Sequence, residues 1–195
     1  DLMRMRQIKN ELAVLNKKVE RENEALTHEV RTDALTNVHA RKYGLELISD
    51  ELTRLRRYAI PFALVMIDLD DFKSINDRFG HSAGDLALQI AARKLFIIIR
   101  ELDRLIRFGG DEFLLLLPST DIGGLKDALD RICGLAIPFS HAGAPEETLI
   151  HFSAGATLAA PSDDVETLIQ RADKAMYQAK AKGKSCFEMI LPHTS

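Results

Sequence analysis

Apolar side chains return at heptad spacing along the first thirty residues. Met5, Leu12, Val19 and Leu26 fall seven apart, and Ile8 and Leu15 take the intervening places. This is an a/d seam over about three heptads, flanked by Lys9, Glu11, Asn16 and Lys18. No Gly or Pro interrupts it. Thirty helical residues would span about 45 Å at about 1.5 Å each. The pattern predicts a parallel coiled-coil stalk over 1–31; one amphipathic helix packed on its own domain would satisfy it too. The next d-type positions are Glu22 and Glu29. An acid in a dimer seam is destabilising, so the pair is expected to loosen toward Arg31.

The pattern then changes. Leu35, Val38, Leu45, Ile48, Leu52 and Leu55 predict a helix capped by Thr32 or Asp33 and running to about Tyr58. After Pro61, the run Phe62–Leu69 is apolar up to its acidic end and reads as a central strand buried on both faces. A short helix near 71–79 and a long one over 83–101 follow, separated by Gly80. Leu105–Phe108 and Glu112–Leu117 read as two strands joined at Gly109-Gly110, a hairpin signal. Helix is expected over 121–136, strand over 149–158, helix over 164–182 up to Gly183, and a last strand over 185–190. Helices and strands are interspersed and one hairpin makes the sheet mixed or antiparallel. The fold class is therefore α/β, a helix–sheet sandwich behind a long N-terminal helix, with domains at 1–31 and 32–195.

Composition narrows the function. Of 195 residues 46% are hydrophobic and 28% charged, which is globular composition. The net charge of −3 argues against a nucleic-acid polymer as partner. Cys133 and Cys186 are too few for a disulfide framework and read as buried thiols in a reducing, cytoplasmic setting. The six His have no zinc-ligand spacing. No apolar run is long enough for a membrane span. The first residue is Asp, so the chain is expected to be a piece of a longer protein, with any sensor upstream.

Candidate chemistry begins with acids at a strand end. Asp68 and Asp70 flank Leu69 where the buried run stops, at the carboxyl edge where α/β proteins tend to place ligands. Alone, they are equally an ordinary polar strand end. In Arg107-Phe-Gly-Gly-Asp-Glu-Phe113, paired glycines permit a tight reversal that presents Asp111 and Glu112 together. Adjacent carboxylates against an aliphatic sheet repel, and a cation relieves them. If this hairpin pairs with the 62–69 strand, Asp68, Asp111 and Glu112 converge on an oxygen-only, hard site suited to Mg²⁺. An acidic-tipped hairpin with no ligand remains open on these residues alone.

Taken together the motifs are more specific. Met66-Ile-Asp-Leu-Asp-Asp-Phe-Lys-Ser-Ile-Asn76, Gly80-His81, Gly84-Asp85 and Arg107-Phe-Gly-Gly-Asp-Glu-Phe113 closely resemble the diguanylate cyclase (GGDEF) family. The resemblance runs from about Thr32 to Ile190 and includes Asp33-Ala-Leu-Thr36, Ser153-Ala-Gly155 and Ala172-Asp-Lys-Ala-Met-Tyr-Gln-Ala-Lys180. Asn37, Val38 and Ala40 stand where the family usually has Gly, Leu and Asn, a departure in the entry turn rather than in the chemistry.

The resemblance implies a palm-like mixed sheet and an enzyme that joins two GTP into cyclic di-GMP with release of two pyrophosphates. It implies Mg²⁺, with Mn²⁺ as an alternative, held by Asp68, Asp111, Glu112 and the Leu69 carbonyl. Asp111 is the candidate for 3′-hydroxyl deprotonation, and Arg107 for stabilising charge in the reaction. Asn76 and Asp85 occupy the guanine positions; read by themselves they are a helix C-cap and a helix N-terminal charge. Lys73 and the backbone of Asp71, Phe72 and Lys73 would meet phosphate, Gly110 would let backbone approach the nucleotide, and Lys180 and Lys184 match distal phosphate contacts. At the last position the family often has Arg, so the charge is kept and the fork lost. Arg100 and Asp103 match an inhibitory R-x-x-D site for cyclic di-GMP; alone they are an i,i+3 surface ion pair. A homodimer set by the stalk, and a regulatory protein binding it, are the partners implied. The alternative is a catalytically silent module that binds GTP or cyclic di-GMP.

Overall fold

The structure is a computed structural model. It describes residues 31–141 and 148–192 and, ahead of them, Arg4, Leu15, Lys17 and Lys18, all four helical. The seam positions Met5, Ile8, Leu12, Val19, Glu22, Leu26 and Glu29 lie outside the described residues.

The elements in chain order are β1 (His39–Ala40), α1 (Arg41–Tyr58), β2 (Phe62–Leu69), α2 (Phe72–Phe79), α3 (His81–Ile98), β3 (Arg104–Gly109), β4 (Glu112–Pro118), α4 (Ile122–Cys133), β5 (Ile137–Pro138), β6 (Leu149–Ile150), β7 (Phe152–Leu158), α5 (Val165–Ala181) and β8 (Phe187–Met189). Six strands form one sheet in the order β1-β3-β4-β2-β7-β8. The pairs β1–β3 and β7–β8 are parallel and the rest antiparallel, so the sheet is mixed. β5 and β6 make a separate two-stranded ribbon.

β2 is interior, and all eight of its residues are buried. Strand side chains alternate between faces. Phe62, Leu64 and Met66 pack in one core with Ile48 and Leu52 of α1 and Leu168 and Ala172 of α5. Ala63, Val65, Ile67 and Leu69 pack in a second core with Ile75, Ala87 and Leu95 of α2 and α3 and Leu125 of α4. A strand with apolar partners above and below must be apolar throughout, which is why no alternation is visible in its sequence. Each fully buried aliphatic side chain contributes roughly 1.5–3 kcal/mol.

Local signals start the helices where the chain turns back. Asp121 accepts from the Gly124 N–H at the start of α4, and Asp164 from the Thr167 N–H at the start of α5. Gly155 of β7 lies so close to α5 that a Cβ there would sit 1.9 Å from the Met176 backbone nitrogen. The absence of a side chain sets how near helix and sheet approach.

Three expectations change. The helix expected from Thr32 or Asp33 begins at Arg41. Asp33 instead accepts from the Thr36 N–H and hydroxyl at 2.9 and 2.7 Å, closing a turn, and His39–Ala40 then pairs with the edge of β3. The strand expected over 149–158 is two pieces, broken at His151, whose carbonyl accepts the Asp70 N–H at 3.0 Å. Cys133 and Cys186 are half-buried rather than buried. Burial still pushes the Cys133 thiol up to about 12, which keeps it inert at neutral pH. Among the described residues no helix is long and apolar enough to cross a membrane.

Candidate functional site

The acids converge at the carboxyl end of β2. The antiparallel register of β2 and β4 sets Asp68 directly opposite Glu112. Both belong to the set of positions that faces α1 and α5, because they continue the alternation Phe62, Leu64, Met66 and Leu116, Leu114. Gly110, at φ +50°, makes the reversal between β3 and β4 and leaves Asp111 at the tip. The Asp111 carbonyl accepts the Leu69 N–H at 3.3 Å, which ties the hairpin tip to the end of β2.

The electrostatics follow from this crowding. Burial is the main cause that lifts the Asp68 carboxyl to about 6, helped by Asp111 and Glu112 and opposed by Lys180. Glu112 is raised first by burial, then by Asp173 and Asp111, with Lys180 and Arg41 opposing. One cation already answers the need: the Lys180 ammonium lies 2.7 Å from Asp68 Oδ2. Among the described residues no three acidic, His or Cys side chains gather closely enough to enclose a metal by themselves. The donor set at this edge is nonetheless all oxygen, crowded and electrostatically short of positive charge.

The loop after β2 is braced from within. Asp70 is buried; it accepts from the Ser153 hydroxyl at 2.6 Å and from the Ser185 N–H at 2.9 Å. Asp71 is at φ +59° and begins α2 with no side-chain cap, leaving the first-turn N–H groups around Phe72 and Lys73 uncapped. Lys184 reaches back to Asp71 Oδ1 at 2.6 Å. Lys180 and Lys184, two of the three lysines expected at phosphate, therefore lie against acids at the end of β2 and in the loop that follows it.

On the other face of the sheet, α2 and α3 bring Asn76 beside Gly84 and Asp85. A Cβ on Gly84 would fall 2.0 Å from Asn76 Oδ1, so the amide lies over the glycine with the Asp85 carboxylate next in sequence. Amide and carboxylate together offer acceptors and a donor.

Arg107 lies beside the hairpin tip. Its guanidinium donates to Asp33 Oδ1 at 3.1 Å and to the Gly110 carbonyl at 3.1 Å. It braces the hairpin against the entry turn. Burial raises the Asp33 carboxyl, but bonds from Thr36 and Arg107 outweigh it and hold the group below its ordinary value.

Arg100 and Asp103 do meet, though not as a side-chain ion pair. Asp103 is buried and its Oδ2 accepts the Arg100 backbone N–H at 2.7 Å. The Arg100 side chain is left to line a cavity of about 460 Å³ with Asp103, Arg104 and Phe96. Burial raises the Asp103 carboxyl against that bond.

Sequence reasoning missed Arg41 and Asp173, and it named Asp70 without its bracing role. Asp173 carried a signal: it stands seven residues before Lys180 and so shares its face of α5.

The chain matches the family model "Diguanylate cyclase, GGDEF domain" over residues 30–186. It is similar to diguanylate cyclase DgcP of Pseudomonas aeruginosa, 38% identical over 160 residues, covering 81% of this chain and 24% of that protein. The chain thus spans about a quarter of that relative's length. Among solved structures it is similar to diguanylate cyclase SiaD in complex with its activator SiaC from Pseudomonas aeruginosa, at 30% identity and TM-score 0.75 over 98% of this chain and 73% of that one. The fold also matches the coiled coil and GGDEF domain of DgcB from Caulobacter crescentus in complex with c-di-GMP, at 23% identity and TM-score 0.80 over 94% and 99% of the chains.

Proposed function

This chain belongs to the diguanylate cyclase GGDEF domain family, and from that premise we propose that its acidic edge condenses two GTP into cyclic di-GMP and two pyrophosphates. The observation that carries the reading is the pairing of Asp68 with Glu112 across β2 and β4, with Asp111 at the adjoining tip and Lys180 as counter-charge.

Asp68, Asp111, Glu112 and the Leu69 carbonyl would hold Mg²⁺, or Mn²⁺, with remaining ligands drawn from the triphosphate. When bound, the ion neutralises phosphate charge and favours in-line displacement at the α-phosphate. Asn76 and Asp85 bind the guanine edge, the carboxylate accepting from N1–H and the 2-amine and the amide serving the acceptor side. The uncapped N–H groups at Asp71–Lys73, with the Lys73 ammonium, receive phosphate oxygens. A triphosphate draws Lys180 and Lys184 from Asp68 and Asp71, because its charge exceeds that of either carboxylate. Gly110, without a side chain, lets nucleotide approach the hairpin backbone. Asp111, at the tip, takes the proton from the attacking 3′-hydroxyl. Arg107 holds the tip through Gly110 and stands close enough to the hairpin to stabilise charge in the reaction.

One such edge holds one GTP, so two must face each other before either bond forms. A homodimer set by the 1–31 stalk supplies that geometry, with the cyclase domain at 32–195. The SiaD complex with its activator SiaC supports a regulatory protein acting on a chain of this kind. The cavity beside Arg100 and Asp103 is the proposed product site, and the c-di-GMP in the DgcB complex supports product recognition by this fold.

Incubation with GTP and Mg²⁺ should yield cyclic di-GMP and pyrophosphate, and Glu112→Gln should abolish both. Binding of GTP without any product, under conditions where the chain is dimeric, would instead leave a silent nucleotide-binding module. For the product site, titration with cyclic di-GMP should inhibit the wild type and spare Arg100→Ala; equal inhibition of both removes that part of the proposal.

A further inference from the structure

Behind the acidic hairpin, on the face of the sheet covered by α1 and α5, lies a cavity of about 580 Å³. That volume falls within the roughly 300–1,000 Å³ typical of small-molecule sites. The two helices do not close over this part of the sheet, so Met66 forms the floor, with Phe108 and Ile169 as apolar walls. The cavity is separate from Asn76 and Asp85, which ride on α2 and α3 across the sheet.

Its charge is one-sided. Glu112, Glu166 and Asp173 line it, against a single cation, Arg41. Arg41 is already engaged, its guanidinium stacked 4.3 Å from the centre of the Phe108 ring. A largely apolar space lined by three carboxylates and one guanidinium selects against carboxylates and phosphates and in favour of cations that carry an apolar body.

We propose that this cavity is a binding site for a small organic cation with a flat apolar body, an aryl amine or amidine, whose ring lies on Met66 and Ile169 and whose charge pairs with Asp173 and Glu112. Such a ligand leaves the guanine-binding pair free. It shares Glu112 with the acidic edge, so it places a control point one side chain from the chemistry. That consequence rests on the catalytic reading; the binding itself does not.

The test uses benzamidine as probe on the full chain labelled with [methyl-¹³C]methionine, without GTP or metal. Met66 is buried in the cavity floor and reports directly. Benzamidine at millimolar concentration should shift the Met66 methyl resonance saturably, and benzoate, with the same ring and the opposite charge, should not. Asp173→Asn, at an exposed position, should weaken benzamidine severalfold. Ile169→Trp should fill the space and remove the shift; should that variant not fold, Asp173→Asn decides alone. An unmoved Met66 resonance, an equal response to benzoate, or undiminished binding by Asp173→Asn would overturn the proposal. None of these outcomes bears on turnover, so failure here and failure of the cyclase reading are separately visible.

Discussion

Replacing Asp68 by Asn should stabilise the folded chain at neutral pH while removing its proposed catalytic use. The Asp68 side chain is only 7% exposed, and its carboxyl is lifted from an ordinary 3.8 to about 6, chiefly by burial. At about 1.4 kcal/mol for each tenfold change in proton affinity, keeping it ionised costs on the order of 3 kcal/mol. The sign follows from proton binding. Between about pH 4 and pH 6 the folded chain holds a proton that the unfolded chain has released, so stability falls as pH rises, and the loss is complete above the folded value. Asn resembles the protonated acid and escapes this penalty. Without metal or nucleotide, urea denaturation should show the two proteins alike below about pH 4 and the Asn variant ahead by about 3 kcal/mol near pH 8. For a chain of this size that is about 6–12 °C in melting temperature. Parallel stability curves, or a wild type that gains on the Asn variant as pH rises, would refute the reasoning that a buried, crowded acid is retained here against the interest of the fold.

Gly84→Ala should push the Asn76 amide aside, since the new Cβ would meet Oδ1 at 2.0 Å. Steady-state kinetics should show a raised KM for GTP with little change in melting temperature. Gly155→Ala meets backbone of α5 instead, 1.9 Å from the Met176 nitrogen, and should destabilise by about 3 kcal/mol or more in chemical denaturation. Arg171 pairs with the buried Asp163 and also donates to Thr157 Oγ1 and the Leu158 carbonyl; Arg171→Leu should cost about 3–5 kcal/mol by the same measurement, because Asp163 is left charged and unpaired. Asp33 titrates below its ordinary value, so its bonds stabilise the fold fully above the ordinary value and are lost as pH falls on through the lowered one. Asp33→Asn should therefore lower stability at neutral pH, narrow its difference from wild type in acid, and slow turnover by loosening Arg107 from the hairpin.

Much of the acidic edge was legible because its parts are local. β2 was read to the residue, since a strand buried on both faces has to be an unbroken apolar run ending where polar groups begin. The hairpin announced itself through Gly109-Gly110, and β2–β4 pairing then had little choice of register. The entry segment was misread for a physical reason. Leu35 and Val38 are spaced as a helix spaces them, but Asp33 found Thr36 and closed a turn, and His39 found the open edge of β3. The break at His151 has the same origin, since the carbonyl that interrupts the strand is taken by Asp70, eighty-one residues earlier.

By itself, then, the chain's order of residues determined most of the strands and helices, which acids stand at a strand end and a turn, and which family these motifs resemble. Burial, period and turn chemistry act over a few residues, and a few residues are all they need. The tertiary structure alone decided that Lys180 sits on Asp68, that Arg107 braces the hairpin through Asp33, and that α1 and α5 leave an acid-rimmed cavity behind Glu112. Those facts depend on distances between side chains far apart along the chain. Packing sets such distances, and no local pattern encodes them.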